Sequence, residues 1–106
     1  MPASAPVRAA VVQAASIAFD REQTLKKAGD LTADAARRGA QVVVFPEAFV
    51  AGYPRGSHFG TVVGARTAEG REEYRRYWAS AVDVPGQAFD ALAETARENR
   101  VYLVMG

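Results

Sequence analysis

The run QVVVF, Gln41 to Phe45, followed at once by Pro46, limits what this chain can fold into more than any other feature. Successive β-branched residues with no polar alternation are the pattern of a strand covered on both faces, as in a parallel sheet. Proline has no N–H to give to a ladder and so marks the strand's end. A parallel strand needs a crossover partner, and VRAAVVQAA, Val7 to Ala15, reads as a mostly buried first strand. Between the two runs Asp20 stands as an N-cap, with Gln23 in a capping-box relation to it. Leu25, Ala28, Thr32, Ala35 and Ala36 then recur at helical spacing, Lys26, Lys27, Arg37 and Arg38 fall mainly off that stripe, and Gly39 stops the helix at C′. Strand, helix, strand over about 40 residues is a βαβ unit with a right-handed crossover. The fold class is α/β.

Residues 47–66 show no helical or strand period and are punctuated by Gly52, Pro54, Gly56, Gly60 and Gly64. A long segment of this kind inside a domain is more often functional than idle. Thr67 can cap a second helix, on which Tyr74, Tyr77, Trp78 and Ala81 form an aromatic face read as packing. Glu72 and Arg76 are spaced to pair on it. Val84–Pro85–Gly86 breaks that helix. A third carries Phe89, Leu92, Ala93 and Ala96 on one side, with Glu94, Arg97 and Glu98 towards solvent. VYLVMG then reads as a third buried strand. Three parallel strands with three helices leave sheet edges and faces uncovered. The expected organisation is a loose leader over residues 1–6, then residues 7–106 as the N-terminal part of a domain that is incomplete at its C-terminus.

Composition removes several classes of function. The net charge of +1, with acids and bases interspersed, leaves no footprint for nucleic acid or an anionic membrane, and neither is expected as a partner. No apolar run approaches the roughly 18 residues that a membrane helix needs. The start MPASAPV has neither a basic n-region nor an apolar core, so a cytoplasmic location is expected. The chain contains no cysteine, which excludes disulfides and thiolate metal sites within it.

The strand at Gln41–Phe45 hands over, across Pro46, to Glu47. In an open parallel sheet ligands bind outside the carboxyl ends of the strands, where Glu47 lies. Pro46 fixes its own φ and keeps Phe45 extended, so the glutamate is aimed by a stiff hinge. A carboxylate held against Phe45 and Phe49 is expected to be partly desolvated, which favours its neutral form and suits it to work as a base near neutral pH. The other reading is that Glu47 caps a turn or pairs with one of the thirteen basic residues. His58 is the only histidine. With no cysteine or nucleophile-elbow serine to partner it, it reads as a loop residue and not as a catalyst or metal ligand. GYPRGSHFG matches no phosphate-cradling motif. Arg55 could hold an anionic group, though a loop arginine is usually solvated.

VRAAVVQAA, GAQVVVFPEAFVAGYPRGSHFG, EYRRYWASAVDVPG and NRVYLVMG resemble, in that order, the beginning of nitrilases of the carbon-nitrogen hydrolase superfamily. The resemblance runs from about Val7 to Gly106, and FPEAF…GYPRG inclines it to the nitrilase branch. It implies part of an α-β-β-α sandwich and a Glu-Lys-Cys triad, with Glu47 as general base and Tyr53 lining the substrate pocket. It also implies a nitrile as small-molecule substrate, no cofactor or metal, and association into homo-oligomers or filaments. The family's lysine and cysteine fall beyond Gly106, and Lys26 and Lys27 lie in no family motif. The segment alone is therefore expected to be inactive and to need the remaining part of the hydrolase chain. An amidase or carbamoyl hydrolase of the same superfamily is the nearest alternative. A small non-catalytic α/β binding domain, with Glu47 structural, is another.

Overall fold

A computed structural model describes residues 4–52 and 67–106 of the chain. Its elements run β1 (Ala9–Val11), α1 (Arg21–Arg37), β2 (Val42–Val44), α2 (Ala68–Ala79), α3 (Gln87–Asn99) and β3 (Tyr102–Val104). The strands form one parallel sheet in the order β1-β2-β3, with Ala10 opposite Val43 and Val43 opposite Leu103. This is the α/β arrangement that the valine run requires. Single hydrogen bonds carry the pairing past the strand ends, from Val12 N–H to the Val44 carbonyl and from Phe45 N–H to the Val104 carbonyl, both at 2.9 Å.

Helix α1 starts and stops where the sequence says. The Asp20 carboxylate accepts the Gln23 N–H at 3.1 Å. The capping box is one-sided, because the Asp20 N–H is already taken by the Ile17 carbonyl. Gly39 adopts φ 89°, and the N–H groups of Gly39 and Ala40 return to the carbonyls of Ala36 and Ala35, the Schellman pair that closes a helix. The buried stripe is Thr24, Ala28 and Thr32. Thr24, which periodicity does not single out, is buried because its hydroxyl lies within hydrogen-bonding reach of the Asp20 and Ile17 carbonyls and also accepts the Ile17 N–H.

The core gathers Ala28, Val43, Phe45, Phe49 and Val101, with Ala10, Val12, Leu31 and Leu103 packed around them. Alternation along the strands puts Ala10, Val43 and Leu103 on this side and the residues between them on the other. Cover on both faces, expected from the valine run, is not what the described residues provide. Val42 and Val44 are half-buried, and Val11 and Tyr102 are 77% and 80% exposed. Helices α1 and α3 both pack on the Val43 face.

Two expectations for α2 are corrected. Its cap is as expected, with the Thr67 hydroxyl accepting the Gly70 N–H at 3.0 Å. Tyr74 and Trp78, read as packing, are instead 51% and 70% exposed. Glu72 pairs with Arg75 through two hydrogen bonds, at 2.8 and 2.6 Å, and not with Arg76. Arg76 lies over the Phe19 ring, 4.7 Å from its centre. A half-buried aromatic face attracts a guanidinium, and the i+3 arginine is then the one left for Glu72. On α3, Glu94 pairs in the same way with Arg97.

Candidate active site

Beyond β2 the chain leaves the sheet through Phe45 and Pro46 and turns over residues 47–51. Phe45 and Phe49, both buried, pack ring on ring with centroids 5.0 Å apart. They anchor the two sides of the turn in the core. Glu47 lies between them in sequence and is exposed. The apolar cover expected for its carboxylate is not formed by these two rings, which spend their surface on each other and on the core. Among the described residues the Glu47 side chain makes no hydrogen bond or ion pair.

The backbone around Glu47 is fixed on every side. Ala48 adopts φ 54°, a left-handed conformation that residues with a β-carbon seldom take. Gly52 N–H donates to the Ala48 carbonyl at 2.9 Å and closes the turn. Phe49 N–H donates to the carbonyl of Gly106, at the end of the neighbouring strand, at 3.1 Å. Gly106 comes so close that a methyl group on it would sit 2.1 Å from the Pro46 carbonyl oxygen and 2.6 Å from the Glu47 α-carbon. The carboxylate thus stands at the carboxyl end of the central described strand, on a backbone that cannot drift.

The other residues singled out in the sequence are distributed unevenly. Tyr53, Arg55 and His58 lie outside the described residues. Lys26 is exposed on α1, and Lys27 donates to the Ala15 carbonyl at 2.6 Å, so neither stands beside Glu47 in a described contact. An apolar groove of about 540 Å³ runs along α3 and is walled by Ala48, Val50, Leu92, Ala96, Leu103 and Met105. It belongs to the helix side of the sheet, and Glu47 is not one of its walls. No group of three acidic or histidine side chains among the described residues could hold a metal ion. None of the described helices is long and apolar enough to cross a membrane. Ala48 and Gly106 are the residues at this site that the sequence reading misses. A glycine directly after an apolar strand is the one signal for either, since it often marks a close backbone approach.

The family model for carbon-nitrogen hydrolases matches residues 8–106. The chain belongs to the carbon-nitrogen hydrolase family. Over 100 residues it is 61% identical to a bifunctional nitrilase/nitrile hydratase of Nicotiana tabacum, covering 94% of this chain and 29% of that protein. Nitrilase 2 of Arabidopsis thaliana is 53% identical over 94% of the chain and 30% of its own length. An aliphatic nitrilase of Sinorhizobium fredii is 52% identical over 93% and 32%. The chain spans about a third of the length of the curated relatives it matches.

Proposed function

We propose that this chain is the N-terminal part of a nitrilase, which hydrolyses a nitrile to a carboxylic acid and ammonia, and that Glu47 is its general base. The observation that carries the proposal is the identity of 52–61%, over more than nine-tenths of the chain, to proteins named as nitrilases. In this reading a cysteine and a lysine from the remaining hydrolase chain complete the triad, and the whole domain is an α-β-β-α sandwich. Glu47 takes the proton of the cysteine thiol as sulfur attacks the nitrile carbon and passes it to the nitrile nitrogen, giving a thioimidate. It then takes a proton from water as that water adds, returns it to the nitrogen as ammonia leaves and the thioester forms, and serves again when a second water hydrolyses the thioester and the proton goes back to the cysteine sulfur. The lysine stabilises the developing charge. Tyr53 lines the pocket, the enzyme is cytoplasmic, and complete chains associate into oligomers or filaments.

The relatives of Nicotiana tabacum are named for both nitrilase and nitrile hydratase action. If the cysteine thiolate leaves the tetrahedral intermediate in place of ammonia, the product is an amide and not the acid, so both products should be followed. The test is to supply the complete hydrolase chain with aromatic and aliphatic nitriles and quantify acid, amide and ammonia. Turnover of nitriles supports the proposal. Cleavage of amides or carbamoyl compounds with nitriles untouched would replace it with the amidase reading.

A further inference from the structure

We infer that Gly106 is a positioning residue for the Glu47 carboxylate, acting with the left-handed Ala48 to clamp the turn on which that carboxylate stands. The inference rests on the reading of Glu47 as the base. No described side chain holds the Glu47 carboxylate, so among the described residues its place is constrained by the backbone of the turn. On one side Pro46 fixes φ before it, and on the other Ala48 is held at φ 54°. Backbone conformations of that kind persist only where the surroundings over-determine them.

Gly106 is the surrounding that does so. Its carbonyl receives the Phe49 N–H at 3.1 Å, with the Val50 N–H at the limit of bonding at 3.5 Å. Its α-carbon lies against the Pro46–Glu47 peptide, where a β-carbon would fall 2.1 Å from an oxygen and 2.6 and 2.7 Å from two carbons. All three are backbone atoms and cannot swing aside as a side-chain tip would. Adding even a methyl group therefore moves the Glu47 backbone or the end of β3 by about 1 Å, a misplacement that in catalytic geometry costs on the order of 100-fold in rate.

The experiment uses the complete hydrolase chain with an aromatic nitrile, and compares Gly106→Ala, Glu47→Gln and the double variant. Gly106→Ala should lower kcat about 100-fold with KM within about threefold of the parent. The double variant should be no slower than Glu47→Gln alone, because Gly106 acts only through that carboxylate. The clash lowers the melting temperature in either case, so the double variant decides: a purely structural role would multiply the losses there, which overturns the inference. Should Gly106→Ala fail to fold, Ala48→Gly decides. It frees the same turn without a clash and should keep the melting temperature while lowering kcat about tenfold, and a kcat within twofold of the parent would overturn the clamp. If Glu47→Gln is inactive while Gly106→Ala folds and turns over normally, the clamp alone falls. If Glu47→Gln itself is active, the base reading falls and takes the clamp with it.

Discussion

At the amino end of β2 the chain turns on partners close by in sequence, Gly39 and Ala40 closing back onto Ala36 and Ala35 of the helix just completed. At the carboxyl end the partners are Val104 and Gly106, which follow the two further helices of the described residues. The amino-end turn closes on α1, with Arg8 adding one exposed bond to the Arg38 carbonyl, while the carboxyl-end turn has a local bond from Gly52 to Ala48 and is tied as well to the end of β3. A site that must hold a carboxylate to within an ångström gains from the second arrangement. Its geometry is tied to the assembled sheet, not to the local preferences of five residues.

This contrast can be broken from either end. The largest expected loss of stability follows Phe45→Ala at the carboxyl end, which removes a buried ring and its contact with Phe49. It should cost about 3–5 kcal/mol and lower kcat as well, measured by denaturant unfolding and nitrile turnover of the complete hydrolase. Gly39→Ala at the amino end should cost about 1–2 kcal/mol through its left-handed backbone. The new methyl would meet only the flexible tip of Arg8, and kcat should not change. Loss of activity in Gly39→Ala without unfolding would erase the distinction between the two ends.

The smallest effect lies away from both ends, on the helix surfaces. The Arg75 guanidinium hydrogen-bonded to Glu72, and the Arg97 guanidinium hydrogen-bonded to Glu94, hold those carboxyls below their usual range. A carboxyl whose folded value is depressed contributes stability above its unfolded value, and that contribution is lost as pH falls through the folded one. The difference in melting temperature between the parent and Glu72→Gln/Glu94→Gln should therefore be small at pH 7 and vanish in acid. It should also shrink with added salt, because both pairs are exposed. A large difference that survives in acid would mean that these side chains act through packing.

What the sequence reveals follows the same division. The cap at Asp20, the stop at Gly39, the cap at Thr67 and the parallel valine strand are local or periodic signals, and all are legible. Thr24 is buried by bonds to Ile17, and Arg76 is drawn off Glu72 by Phe19, contacts that helical spacing does not encode. The exposure of Tyr74 and Trp78 depends on what α2 meets, which its own amphipathic pattern does not state. For the site, Pro-Glu after a strand marks Glu47. The left-handed Ala48 carries no signal, since alanine is among the residues least expected there. The approach of Gly106 becomes visible only when β3 lies beside β2.

The central claim is that the carboxylate at the carboxyl end of β2 moves protons in nitrile hydrolysis. Glu47→Gln in the complete hydrolase is nearly isosteric and cannot take a proton, so ammonia release should fall by about 10²- to 10⁴-fold. The melting temperature should stay near the parent value, because glutamine keeps the size and shape of the glutamate side chain. Ammonia release within a few-fold of the parent, from a variant folded equally well, would contradict the claim.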